Sequence, residues 1–315
     1  MSTTSDIIKR ITPGRKIAGV CAVFLPLNAE DKIDLNSFMR LLNQVILSDL
    51  TPAINLDSGF VNHLTYQEKS DVLLCAHEVL SNKPFFAGAT IEGEIGDAIT
   101  LYSREAEIIQ KHGGTPILLQ SSALHGKPDR VIVEIYKQIA ANCKSVIAAE
   151  TGQMFAPYGQ IYSLGLVEEL MQIPQLAGLH HASLRRDLEW MRLDLRDRIR
   201  PDFKIYTGNE LALDMVMYGS DYLLGLPVFA PELFSIRDAH WANNDPAFFE
   251  LNDKLQALGS FAYRHPVPAY KHTTAQFLKL IGAIETDHTH PDDFLRTISD
   301  CDVLRGIAER LNLIK

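Results

Sequence analysis

Apolar residues along this chain follow two patterns that alternate from the start of the sequence to about residue 230. Predominantly apolar runs lie at 16–25, 52–57, 85–89, 116–120, 145–150, 176–181, 203–207 and 221–226. They predict parallel strands buried on both faces, since a strand covered on one side only would alternate apolar with polar. Between these runs apolar residues recur at three- and four-residue spacing, which puts them on one face of a helix. Phe38, Leu41, Leu42, Val45 and Ile46 form one such stripe. Thr65 and Glu68 make a capping box ahead of Val72, Leu73, Ala76, Val79 and Leu80. Further helices are predicted over 97–112, 130–141, 163–171, 184–197 and 211–218.

Eight strands separated by helices fit a closed parallel barrel better than an open sheet. The expected fold class is therefore α/β, a (β/α)8 TIM barrel with additional C-terminal helices. The barrel is expected over 1–230. A helical extension over 231–315, with helices through 248–261, 273–284 and 291–313, is expected to pack on it as part of one structural unit.

Composition narrows the partners. The chain has 315 residues, 46% of them hydrophobic and 22% charged, an ordinary balance for a soluble globular protein. A formal charge of -9 argues against nucleic acid, whose phosphates are bound by clustered Lys and Arg. No apolar run is long enough to span a bilayer, and Met1 to Asp6 lack the apolar core of a signal peptide. Cys21, Cys75, Cys143 and Cys301 are scattered without a CxxC pair, which reads as four reduced thiols in a cytoplasmic protein. These features leave neither nucleic acid nor membrane as an expected partner.

Several landmarks recur in a familiar order. Gly19-Val20 with Phe24-Leu25-Pro26 is followed by Asp57-Ser58-Gly59-Phe60 and Leu64-Thr65-Tyr66-Gln67-Glu68, then by Ala87-Gly88, Lys127-Pro128, Gly178-Leu179-His180-His181-Ala182 and Gly208-Asn209-Glu210. Their order and spacing resemble the dihydrodipicolinate synthase / N-acetylneuraminate lyase family over roughly the whole chain. The resemblance implies a barrel with extra C-terminal helices, lyase chemistry on a 2-oxo acid, and a homo-oligomer, a dimer or a tetramer. It also implies an imine-forming lysine on strand six, a proton-shuttling tyrosine after strand five and a threonine pair that holds a carboxylate. This sequence departs at each of those places. His180 stands where the lysine would be, Glu150 is the nearest counterpart of the tyrosine, Asp57 replaces the first threonine, and His125 falls near a second tyrosine position. An imidazole is no primary amine and forms no stable imine with a ketone, so the Schiff-base route is expected to be lost. Lys127 and Lys204 are expected to lie outside the barrel mouth.

Active sites of such barrels lie at the C-terminal ends of the strands. Asp57, Gln120, Glu150, His180 and Glu210 all fall there, with His125 in the loop after strand four. His180, Glu150, Asp57 and His125 are the catalytic candidates, and Ser58, Gly59 and Gln120 the candidates for holding substrate. Carboxylates and imidazole gathered without a cation would repel one another in a buried cavity. Two arrangements relieve this: a divalent metal ion held by Glu150, His180 and Glu210, or one carboxyl kept protonated as general acid with His180 as base. For Glu210 a turn-stabilising acid is the better account, and His181 should point away from the lumen by strand alternation. The arginines from Arg185 to Arg200 interleave with acids and read as a solvated helix face. His288-Thr289-His290 resembles a metal tract by composition only, and a loop leading into a helix accounts for it.

The function expected from these residues is a lyase, or aldolase-like enzyme, acting on a small oxo-acid or sugar-derived substrate through an enolate without a Schiff base. The alternatives are a metal-dependent sugar isomerase or epimerase and a non-catalytic ligand-binding relative.

Overall fold

The strands are short, four to seven residues each, and nearly every residue in them is buried, as expected of a parallel sheet with covered faces. The computed structural model describes residues 4–314, so Met1–Thr3, which bear on the expected lack of a signal peptide, lie outside the described residues. The order of elements is α1 (Thr4–Lys9), β1 (Gly19–Ala22), α2 (Leu35–Leu47), β2 (Thr51–Ile54), α3 (Tyr66–Leu80), β3 (Phe86–Ala89) and α4 (Ala98–Lys111). Next come β4 (Thr115–Leu118), α5 (Asp129–Ala140), β5 (Val146–Thr151), α6 (Leu164–Met171), β6 (Leu176–Ala182), α7 (Arg186–Ile199), β7 (Lys204–Thr207) and β8 (Asp221–Leu224). Four helices end the chain: α8 (Pro231–Ala242), α9 (Ala247–Ala262), α10 (Tyr270–Leu280) and α11 (Asp300–Arg310). The strands close into a barrel in the order β1 to β8. This is the (β/α)8 barrel with C-terminal helices that the hydrophobic pattern predicts.

The chain divides into two compact units. One comprises 4–12, Asn82–Asn209 and Asp214–Leu223 and carries β3 to β7 with most of β8; the other comprises Pro13–Ser81, Glu210–Leu213 and 224–314 and carries β1, β2 and the C-terminal helices. In the second unit the stripe of α2 buries Phe38, Leu41, Leu42 and Val45. Aromatic pairs Phe229–Phe277 and Trp241–Phe248, with centroids 5.1 and 4.8 Å apart, fill its core among the last helices. In the first unit Ile117, Ile132, Val146, Leu176 and Ile205 are almost wholly buried.

Helix starts follow the side chains that cap them. Thr65 accepts from the Glu68 amide at 3.2 Å while the Glu68 carboxylate accepts from the Thr65 amide at 2.8 Å, the capping box read from the sequence. Asp97 and Ser163 cap α4 and α6 singly, their side chains accepting from the Thr100 and Leu166 amides.

Two segments differ from expectation. An α-helix over 211–218 is replaced by a 3-10 turn at Leu213–Tyr218. The Gln256 side chain donates to the Glu210 carbonyl, which would accept the first bond of a helix beginning at 211, and accepts from the Leu213 amide, while Gly219 with φ +108° ends the turn. Of 291–313 only Asp300–Arg310 is helical. The stretch before it is held open by side chains: Arg296 donates to the carbonyls of Arg264 and Pro266, and its own amide donates to His272 Nδ1.

The cysteines are unpaired, with Cys21, Cys75 and Cys143 buried. Among the described residues no helix is long and apolar enough to cross a membrane.

Thr65→Ala removes one half of the capping box, and the expected loss is about 1 kcal/mol of stability. Urea unfolding checks it; an unchanged midpoint contradicts the role given to this cap.

Candidate functional site

Consecutive residues of a strand face opposite ways, so the register at the ends of β5, β6 and β7 decides which side chains meet. Ala149 stands opposite His180 and Glu150 opposite His181. His180 in turn stands opposite Tyr206, and His181 opposite Thr207. Tyr206 meets Phe86 of β3 edge-on at 6.0 Å, and since β3 and β7 are not neighbours that contact crosses the barrel interior. His180 therefore faces the lumen, as the sequence reading placed it. Glu150 faces the surrounding helices together with His181. This corrects the expectation that Glu150 and His180 share a site: the strand end was read one residue out of phase.

His180 is half-buried. Burial pulls its pKa down to about 4, the neighbouring His181 adds to the depression, and a hydrogen bond to the Leu223 backbone opposes it. Near neutral pH the ring is uncharged; with one nitrogen engaged as donor to a backbone carbonyl, the other keeps a free lone pair. Gly208 is packed so closely that a Cβ there would come within 2.6 Å of His180 Nε2 and 2.9 Å of Ala182 Cβ. A glycine at this turn is what lets the ring sit where it does.

Behind the strands lies a fully buried polar network. Glu150 Oε1 accepts from His181 Nδ1 at 2.6 Å and from Arg192 Nε at 2.6 Å. Its other oxygen accepts from Arg192 Nη2 at 2.9 Å and from the Tyr162 amide at 2.7 Å. His181 Nε2 lies 2.6 Å from the Ser183 hydroxyl. Burial alone would raise the Glu150 pKa, but the His181 hydrogen bond and the Arg192 guanidinium outweigh it and hold the carboxyl at about 2. Glu150 is thus an ionised acid with both oxygens fully engaged, and it has no lone pair left for a divalent metal ion or for a substrate proton. Arg192 also corrects the reading of α7 as a solvated face. It is 1% exposed, and one turn away Glu189 is as deeply buried, accepting from Thr207 Oγ1 at 2.8 Å and from Ser220. The other arginines of the stretch do pair with acids near the surface, as Arg185 does with Asp187 and Arg186 with Asp214.

Gln120 and His125 brace the loop that follows β5. Gln120 donates to the Gln160 carbonyl at 2.7 Å and accepts from the amides of Thr151 and Gln160. His125 is exposed and donates to the Tyr158 carbonyl at 2.8 Å.

The second unit holds its own polar cluster, containing Asp57 and Glu210. Asp57 accepts from the Tyr270 hydroxyl at 2.8 Å and from Lys271 Nζ at 3.3 Å; Lys271 also donates to Asp293 at 2.7 Å. Burial would lower the Lys271 pKa, but the two carboxylates override it and raise it, so the amine is held charged. Tyr270 stacks on Tyr263 at 4.5 Å. Tyr263 donates to Glu210, whose carboxyl also accepts from the amides of Gly225 at 2.6 Å and Leu226 at 3.3 Å. Burial prevails over these neutral donors and pushes Glu210 up to about 8, so it is mostly protonated near neutral pH. Its bonds to the residues after β8 are those of a turn-stabilising acid. A Cβ on Gly225 would lie 2.5 Å from the Tyr263 hydroxyl, so the tyrosine reaches its place only over a glycine. Ser58 gives its hydroxyl to the Val23 carbonyl at 3.3 Å, and Gly59 packs on Leu25.

Three participants escaped the sequence reading. Arg192 was hidden in a run of surface-type arginines, and Lys271 in α10 and Tyr263 just past the end of α9 take part through packing that no local pattern reveals. The one available signal was the spacing of Glu189 and Arg192, which shares a helix face with Leu193 and Leu195.

No protein-family model and no curated protein matches this chain. Solved structures do. Dihydrodipicolinate synthase from Thermotoga maritima aligns with a TM-score of 0.81 at 15% identity over 95% of this chain and 100% of that one. YagE, a prophage protein of the dihydrodipicolinic acid synthase family from E. coli K12 solved with pyruvate, aligns with 0.82 at 14% identity over 95% and 99%. The Acinetobacter baumannii dihydrodipicolinate synthase, also solved with pyruvate, aligns with 0.77 at 18% identity over 95% and 100%. What is held in common at these identities is the fold, the barrel together with its C-terminal helices.

Arg192→Met leaves Glu150 charged and buried without its main partner, and is expected to cost about 3–5 kcal/mol in denaturant unfolding. The pH dependence has a definite sign. Glu150 lies at about 2 in the folded chain against an ordinary value of 4.5, so its contribution is complete above pH 4.5 and is lost as pH falls toward 2. Glu150→Gln should flatten that part of the acid unfolding curve; a curve of unchanged slope there contradicts the assignment.

Proposed function

We propose that this protein is a lyase that acts on a small oxo-acid or sugar-derived substrate through an enolate formed without a Schiff base. The observation that carries the reading is His180: a lumen-facing, half-buried imidazole, uncharged near neutral pH, packed on Gly208 near the C-terminal end of β6. Barrels of this architecture do their chemistry at that end. The pyruvate described in two of the similar structures supports an oxo acid as the substrate class.

His180 takes a proton from the carbon beside the carbonyl, and the C–H electrons move to the carbonyl oxygen. In an elimination the enolate expels the group on the next carbon, and the imidazolium protonates that departing group. In an aldol cleavage His180 instead takes the hydroxyl proton, the carbon–carbon bond breaks to leave the enolate of the oxo acid, and the imidazolium protonates its carbon. An imidazole does this without the covalent intermediate that an amine would form. The buried Glu150–Arg192–His181 network sets the height and direction of the β6 backbone that carries His180, and so acts on the base by positioning it. The reading carries with it a cytoplasmic homo-oligomer of two or four chains, which light scattering on the purified protein tests.

Exchange of the methyl protons of pyruvate and related 2-oxo acids in deuterated water, followed by proton NMR, tests the chemistry. The wild-type chain is expected to catalyse exchange with at least one compound, and His180→Gln to lose it by about 100-fold or more. Borohydride should trap no adduct. A trapped adduct, or equal exchange by the variant, overturns the mechanism, and no exchange with any compound of the panel favours a non-catalytic binding protein. The rate should hold down to about pH 4, where His180 gains its proton, instead of failing near the ordinary imidazole value of 6.5.

A further inference from the structure

The segment between α10 and α11 brings its histidines back to the loop ahead of α3, within the second unit. One ligand atom from each of His63, His290 and Asp292 lies within 4.8 Å of the others. Among the described residues this is the one group of three or more His, Cys, Asp or Glu side chains so disposed. The two imidazole rings stack at 4.0 Å with 22° between their planes. Asp292 Oδ2 lies 4.0 Å from His63 Nδ1 and 3.8 Å from His290 Nδ1. Two ligand bonds of about 2.0–2.2 Å span such a distance, so one ion can touch Asp292 and His63 together. His290 Nδ1 accepts from the Asp292 amide at 3.3 Å, so His290 offers Nε2 once its ring swivels out of the stack.

We infer that His63, His290 and Asp292 form a binding site for a divalent first-row transition metal of the zinc type. Two imidazoles and one carboxylate make a set of borderline donors, which suits zinc or cobalt and not the oxygen-seeking magnesium or calcium. Three protein ligands leave a coordination position open.

A second observation points the same way. Asp293, the next residue, has a side chain only 6% exposed; one oxygen pairs with Lys271 and the other, Oδ2, has no hydrogen-bond partner. A buried carboxylate oxygen without a donor is costly, and its negative potential acts on His63. A cation beside His63 and His290 relieves it. Through Asp293 and Lys271 the site is joined to Asp57, so an ion bound there also acts on that cluster. The site is independent of the enolate reading: it uses none of the same residues and stands or falls on binding alone.

The test uses the full chain stripped of metal. Titration with zinc chloride in a calorimeter is expected to show one saturable site per chain, and cobalt(II) to give the visible absorption of a low-coordinate ion. His63→Ala, His290→Ala and Asp292→Asn should each weaken binding by at least about tenfold. His288→Ala removes a histidine of the same run that pairs instead with Asp31 at 2.8 Å, and should bind zinc like the wild type. Melting curves without metal check that each variant is folded, and zinc should raise the melting temperature of the wild type and of His288→Ala only. Absence of saturable binding, binding that survives both His63→Ala and His290→Ala, or loss that His288→Ala shares equally would overturn the site.

Discussion

A residue at the end of a buried barrel strand has two destinations, the lumen or the layer between strands and helices, and its neighbour takes the other. At β5 and β6 this alternation sends His180 inward and commits Glu150 and His181 to the helix side. An ionised carboxylate placed there has no water to solvate it, so α7 must supply a guanidinium from its inner face. Arg192 does so with two hydrogen bonds, which ties β5, β6, α7 and the Tyr162 backbone to one charge. The inward histidine is thus next in the chain to His181, a member of that outward network.

Glu150 and Glu210 show how partners, more than depth, set the protonation of a buried acid. Both are almost wholly buried. Glu150 faces a guanidinium and an imidazole and titrates at about 2; Glu210 faces two amides and a phenol and titrates at about 8. The two act oppositely on stability. Glu150 stabilises the fold above the ordinary carboxylate value and ceases to do so as pH falls toward 2, while Glu210 favours the fold in acid and ceases to do so as pH rises through about 8. Lys271 obeys the same rule as Glu150 with the charges exchanged. Two carboxylates keep it protonated, and an amine without a lone pair is no nucleophile.

Most of the fold was legible because it rests on period. Predominantly apolar runs marked all eight strands, and Thr65 with Glu68 marked a helix start that the backbone makes as read. The failures came where a distant side chain decides. Nothing in Leu211 to Tyr218 announces that Gln256, more than forty residues after Leu213, will occupy the Glu210 carbonyl that a helix there needs. The candidate site was legible as a set of strand ends but not as a set of contacts. A strand end placed one residue off exchanges inside for outside, which is how Glu150 came to be grouped with His180. Arg192 was assigned to the solvent because the arginines and acids around it on α7 read as one exposed helix face. The His288-Thr289-His290 run looked like bare composition because its counterpart, His63, lies more than two hundred residues away.

On the proposed chemistry, the surroundings that depress the pKa of His180 also determine when it becomes basic. Burial opposes an isolated imidazolium, so the free site gains nothing by taking up a proton from water near neutral pH. Proton transfer from a bound substrate is a different event, because it creates the imidazolium and the enolate together. The net charge of the enclosed site does not change, and the new cation faces a new anion at contact distance in a medium that screens poorly. The environment that makes His180 a weak base toward solvent therefore makes it a stronger one toward a carbon acid whose conjugate base stays beside it. An imine-forming lysine meets the same need by carrying its positive charge on the substrate before the proton leaves. A histidine at that position defers the charge until the proton moves, so the base and the counter-ion of the enolate are one residue.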